Sequence, residues 1–318
     1  MRMSRTARPK AVRPTTTGER VVEPSVPTQL GVGAMGGVIG GLLGGGSGVF
    51  YVPVLEKITN LSRHTLHGTA GAANIAVTGV GAATFGLVGG SIDFRAGAGM
   101  VVGATLGAVL GAKLILRLPA SVLRWLFVAI LLLTSAKLLL DVTGYDPLQG
   151  SAVVPEAWIA SRWFVVPTSL VLGFVIGAWA AGMGLGGGLL AVPALMLLFG
   201  TDLPTAEGTS LLMFFPNAIV GTITHARQGT ADLRLGLNLN IGALPGAVAG
   251  VLIALALNVK ILSIVFAVFA MTIGVREIYR MRRERVARRE RFVEIADLSS
   301  SEQTVFNNST PIDQHATD

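Results

Sequence analysis

The run Gly40-Gly41-Leu42-Leu43-Gly44-Gly45-Gly46-Ser47-Gly48, closed by Pro53, decides the reading, because it returns 140 residues later as Gly182-Met183-Gly184-Leu185-Gly186-Gly187-Gly188 with Pro193. Gly44, Gly46, Gly48 and Pro53 match Gly184, Gly186, Gly188 and Pro193 at one constant spacing. Upstream, Gly33 and Gly37 match Gly173 and Gly177; downstream, Gly68-Thr69 matches Gly208-Thr209. At spacing 139 the match continues: Asp93, Arg95 and Gly97 with Asp232, Arg234 and Gly236, then Gly103, Gly107 and Gly111 with Gly242, Gly246 and Gly250. A unit at 33–140 is thus duplicated in 173–279. A duplicated apolar segment with a glycine break in matching places points to a transporter site at a repeat interface.

The surroundings place these breaks in a membrane. The chain is 51% hydrophobic and 14% charged, where a soluble domain carries about a quarter charged residues. Uncharged runs fill 96–112, 164–201 and 235–259, and about 20 apolar residues suffice for one helical span. The ten-residue alternation of a membrane β-barrel is absent. The fold class is therefore an all-α polytopic membrane protein built from two four-element repeats. There is no cysteine, so disulfides and thiolate metal sites are excluded. No HExxH or histidine metal spacing occurs, and the glycine runs lack the lysine of a phosphate-binding loop. The chain calls for no cofactor, no metal and no enzyme activity.

The expected organisation is a disordered basic tail at 1–28, repeat 1 at 29–140, a linker at 141–162, repeat 2 at 163–280, and a basic then polar tail at 281–318. Each repeat starts with an uncharged element too long for one simple span. Glycine costs a helix interior roughly 1 kcal/mol relative to alanine, and Pro53 or Pro193 removes a backbone donor. Each first element is thus a broken span or a re-entrant hairpin. Positive charge favours re-entry. With the N terminus inside, that model puts seven loop cations inside and four outside, against five and six for full spans. It leaves three full spans per repeat, which inverts the second repeat and places both termini in the cytoplasm, in a bacterial plasma membrane.

Broken backbone exposes amide N–H groups at half-helix N termini, where partial positive charge favours anions. The expected substrate contacts are Gly44, Gly46, Ser47 and Gly48 from the first break and Gly184, Gly186, Gly187 and Gly188 from the second. Hydroxyls of Thr69, Thr209 and Ser210 and the amides of Asn74 and Asn217 stand nearby in sequence; helix capping or interhelical bonding would also satisfy them. His67 and Glu207 occupy equivalent repeat positions and are candidates for a coupling proton, since ionisable groups at membrane depth are functional by default. The alternative is an interfacial position facing water. The four-residue glycine ladders 103/107/111 and 242/246/250 suit helix packing. From Arg280 to Arg291 a cationic run continues the last helix and suits anionic lipid rather than nucleic acid.

The duplicated pattern, with Gly208-Thr209-Ser210 and His225-Ala226-Arg227-Gln228-Gly229-Thr230-Ala231-Asp232, resembles the sulfite exporter TauE/SafE family over about 30–280. Repeat 1 departs from it: Gly71-Ala72 follows Thr69-Ala70, and Phe85 stands where His225 does. The resemblance implies ATP-independent export of small sulfur oxyanions or organosulfonates. Alternatives are an uptake carrier or channel for another anion. A third reading, from another class, is an intramembrane serine protease, since Gly45-Gly46-Ser47-Gly48 resembles the GxSG of rhomboids; it requires a histidine partner for Ser47, and the second repeat has Gly187 there.

Overall fold

Two aspartates begin two helices and, with them, the architecture. Asp93 caps one helix by accepting from the amides of Arg95 (2.8 Å) and Ala96 (3.2 Å). Asp232 caps another, accepting from Arg234 and Leu235, each at 3.1 Å. A side-chain oxygen at this position satisfies amides that have no intrahelical acceptor. The computed structural model describes residues 24–89, 92–111, 120–145, 154–159, 161–183 and 188–308.

The first half comprises α1 (Val26–Leu42), α2 (Gly48–Ile58), α3 (Arg63–Thr84, prolonged by a π segment Phe85–Gly89), α4 (Phe94–Leu106, prolonged by a π turn Gly107–Gly111) and α5 (Ala120–Val142). After the short α6 (Glu156–Ile159), the second half comprises α7 (Arg162–Met183), α8 (Gly188–Phe199), α9 (Leu203–Arg227), α10 (Leu233–Ala256) and α11 (Val259–Asn308). Among the described residues, five helices are long and apolar enough to cross a membrane, including 63–89, 162–180 and 233–256. The last helix continues well past residue 280, through the start of the tail expected at 281–318, as far as Asn308. Its charged extension is helix-compatible, with Arg280 Nε donating to Glu284 at 3.2 Å, four residues on.

Glycine ladders join the helices in reciprocal fashion. On α1, a Cβ added at Gly33 or Gly37 would lie 2.2 or 2.6 Å from the carbonyl oxygen of Leu239 or Ala243 on α10. On α7, one added at Gly173 or Gly177 would lie 2.4 or 2.2 Å from the carbonyl oxygen of Met100 or Ala104 on α4. The partners answer in kind: a Cβ added at Gly242 would lie 2.1 Å from Leu30 O, and one added at Gly103 would lie 2.0 Å from Leu170 O. Each first helix of one half therefore packs, backbone to backbone, on the Asp-capped helix of the other half. Apolar lipid gives little drive for helix association, so close van der Waals approach of small residues supplies it.

Two buried threonines repeat the exchange. The Asp93 amide donates to Thr209 Oγ1 and the Asp232 amide donates to Thr69 Oγ1, both at 2.9 Å. Asn240 of α10 adds a bridge with no counterpart: its Nδ2 donates to Ala72 O and its Oδ1 accepts from the Ala76 amide, each at 2.7 Å, both on α3. Thr69→Val and Thr209→Val keep the shape and remove one acceptor each. Leaving a buried amide unpaired costs about 1–3 kcal/mol, so both variants should melt earlier by matching amounts in a detergent thermal-shift assay, and a loss confined to one would contradict the reciprocity.

Candidate functional site

The first glycine break is a reversal of the chain. Gly44, Gly45 and Gly46 have φ of 67, 100 and 109°, a region L side chains rarely occupy. Through these residues α2 turns back along α1. Tyr51 Oη donates to Gly33 O at 3.1 Å, and a Cβ at Gly36 would collide with the Tyr51 ring. A continuing helix would carry Tyr51 some 25 Å or more from Gly33 at ~1.5 Å per residue. Hence the chain reverses here, and α1 and α2 form a hairpin and not one continuous helix. Gly45 N donates back to Gly40 O at 2.7 Å, while the amides of Gly46, Ser47 and Gly48 take no backbone acceptor among the described residues.

The second break, Gly184 to Gly187, lies outside the described residues, so the structure does not place Gly184, Gly186 and Gly187. Gly188, the first residue of α8, is described, and it meets the first break. A Cβ there would stand 2.5 Å from Gly45 C and 2.8 Å from Gly44 O.

Above this contact lies a cavity of about 240 Å³, bounded by Gly45, Gly46 and Gly188 at one end and by His67, His225 and Gln228 at the other. Gln228 and Thr224 are exposed, so that end is the mouth; Gly188 and Gly46 are buried and form the floor. Asn74, Thr78 and Asn217 line the walls. The helices α3 and α9 that carry these walls run antiparallel: Gly68 lies against His225, Gly79 against Phe215 and Gly81 against Leu211. The described lining contains no Asp, Glu, Lys or Arg. Its polar groups are amides, hydroxyls and two imidazoles, which can all donate to an anion.

Several expected contacts have protein partners instead. Ser47 is fully buried and its hydroxyl donates to Asn74 Oδ1, a partner that is an amide and not the histidine a serine protease requires. Ser210 Oγ donates to Gly44 O at 2.7 Å and so holds the break to α9. Thr69 and Thr209 serve the Asp-capped loops, as described above. Gly44 abuts Glu207 and Val192, and Gly48 starts α2 in a buried position. Asn217 faces the cavity with an Nδ2 that is buried and has no hydrogen-bond partner among the described residues.

His67 and Glu207, 140 residues apart in the sequence, have different surroundings. His67 lines the mouth, half-buried. Glu207 is fully buried beyond the floor. Residues the sequence had not singled out as contacts are Gly45, Thr78, His225 and Gln228. The His225 to Asp232 run was the available signal for two of them: His225 Nδ1 pairs with Thr230 Oγ1 at 2.9 Å, which orients the ring at the mouth.

The family model described as "Sulfite exporter TauE/SafE" matches residues 1–138 and 169–304. Among curated relatives, the "Probable membrane transporter protein YdhB" of Bacillus subtilis is 26% identical over 67% of this chain and 84% of its own length. A "Probable membrane transporter protein" of Xylella fastidiosa is 27% identical over 79% of this chain and 94% of its own. The "Probable membrane transporter protein YunE" of Bacillus subtilis is 24% identical over 78% and 95%. No solved structure matches the chain.

Proposed function

The chain belongs to the sulfite exporter TauE/SafE family of membrane transporters, and from that premise we propose that it is a secondary, ion-coupled exporter of small sulfur oxyanions or organosulfonates. The observation that carries the anion reading is the floor of the cavity. There Gly188, at the N terminus of α8, meets the backbone of the first glycine break, beneath walls free of charged side chains in their described lining. Amide N–H groups at such helix ends, with Asn74 and Asn217 above them, bind an oxyanion without a buried lysine or arginine. A cavity that ends on a closed floor favours a carrier over an open channel.

The reciprocal contacts of α1 with α10 and of α7 with α4 support two inverted repeats, at 29–140 and 163–280, that rock about the fixed site for alternating access. The membrane is the bacterial plasma membrane, with both termini cytoplasmic and Arg280 to Arg291 set against anionic lipid.

The test is sulfite flux in proteoliposomes with and without an imposed pH gradient. The native chain should move sulfite faster with the gradient. Asn217→Leu should lower flux about ten- to hundredfold, the cost of one lost hydrogen bond to a charged ligand of roughly 1.5–3 kcal/mol. Ser47→Ala should retain most flux, because its hydroxyl orients Asn74 and is not a nucleophile. Absence of flux from monodisperse protein would make sulfite the wrong anion.

A further inference from the structure

We propose that Glu207 is a proton-binding site that latches the closed side of the transporter: the neutral acid fits beneath the cavity floor, and loss of its proton to water on the α9 N-terminal side accompanies opening there. This rests on the alternating-access reading above.

Three observations place it. First, Glu207 has no exposed surface, and both carboxyl oxygens lack a hydrogen-bond partner among the described residues. A carboxylate enclosed without a donor or cation carries a large uncompensated desolvation cost. Secondly, it sits in the closing layer itself. A Cβ on Gly44 would lie 2.6 Å from Glu207 Cα, and Ser210, three residues on, holds Gly44 O. Thirdly, the cavity touches α9 only from Phe214 onward, towards its C-terminal end. Glu207 is therefore beyond the floor, where His67, its counterpart in the duplicated pattern, is within the open mouth.

Among the described residues, the neighbouring elements offer no compensating charge at this point. The 43–47 break and α8 carry no titratable side chain, and the π turn 107–111 carries none. On α9 itself Asp202 is a nearby like charge, engaged in capping the Thr205 amide. From α4 come Asp93, which caps its own helix, and Arg95, whose Nη2 donates to Ile159 O at 2.9 Å. On α7 the cation is Arg162; on α3 they are Arg63, His64 and His67, at the mouth end. In the closed form, Glu207 therefore exchanges its proton with neither solution. One proton leaves on opening and one returns on closing, both at the same face, so the residue gates by the pH of that face and carries no net proton across.

The chain lacks cysteine, so one introduced thiol reports without background. Val192, fully buried against Gly44, becomes the probe as Val192→Cys. In nanodiscs, its modification rate by a polar maleimide is followed from pH 5 to 8, with Glu207 and with Glu207→Gln. Dividing the two rates cancels the pH dependence of the thiol. The ratio should climb with pH, at most tenfold per unit for one proton, while the Gln chain stays closed and slow; Glu207→Asp should restore the climb. Ala218→Cys, on the cavity wall, should label in every background and so certifies the fold. A flat ratio, or a Gln chain that labels faster than the Glu207 chain at pH 8, would overturn the latch. Sulfite flux separates the two readings: no flux with a climbing ratio removes sulfite but keeps the latch, and normal flux with a flat ratio does the reverse.

Discussion

Gly188→Ala should abolish measurable transport, whereas Gly71→Ala, one methyl added to the same cavity lining, should leave flux within a few-fold of native. The two glycines differ in what surrounds them. At Gly188 the new Cβ would fall 2.5 Å from Gly45 C, 2.6 Å from Gly45 O and 2.8 Å from Gly44 O. All three are main-chain atoms, so no side chain can swing aside. At Gly71 nothing stands within 4 Å. The first methyl must push the 43–47 break off α8, and overpacking of this kind costs roughly 1–3 kcal/mol. The functional loss should be larger than the stability loss. A displacement of order 1 Å among groups that must converge on one ligand costs about a hundredfold in rate. Flux per folded protein, normalised by gel filtration, is the measurement. Native flux from Gly188→Ala would mean that the contact of the first break with α8 is incidental to transport, and the anion site would have to move up the cavity towards His67 and His225.

The contact was legible in the sequence as a coincidence of spacing, and its consequence was not. Constant offsets of 140 and 139 marked Gly44 with Gly184 and Asp93 with Asp232 before any coordinates. The helix break at 43–47 followed from glycine chemistry. The all-helical membrane architecture followed from uncharged runs. What a one-dimensional pattern cannot say is which copy of a residue serves which half. Thr69 and Thr209 looked like donors for a ligand; their hydroxyls accept from the amides of Asp232 and Asp93, a relation that exists only once the halves interlock. Ser210 likewise turned to Gly44 O. Asn240, in no repeated motif, bridges α3 beside the cavity, and nothing in its sequence neighbourhood announced that. The charge pattern that placed residues by membrane side could not separate His67 from Glu207, because burial depends on how the helices pack around each residue.

Bulk in the glycine ladders should produce the largest loss of stability, and the loss should be symmetric. Gly242→Leu directs its Cβ to within 2.1 Å of Leu30 O, and Gly103→Leu to within 2.0 Å of Leu170 O. Neither helix pair can retain its present distance with a leucine there. The interfaces α1 with α10 and α7 with α4 are built from such approaches at successive four-residue steps, through Gly246 with Ala34 O at 2.2 Å and Gly107 with Phe174 O at 2.2 Å. Separating the backbones at one rung forfeits dispersion contacts along the whole ladder, because these contacts weaken steeply over fractions of an ångström. A cost of about 3–5 kcal/mol places these substitutions among the severe ones, with melting in detergent lowered by roughly 10 °C at 2–4 °C per kcal/mol. Gly221→Leu on α9, where nothing stands within 4 Å of the added Cβ, is the matched control and should melt near the native temperature. Equal losses from Gly242→Leu and Gly103→Leu would mean that the two halves hold each other by the same device. A large loss from one with native melting from the other would show that a single interface carries the fold, and rocking of equivalent repeats would no longer follow from the geometry.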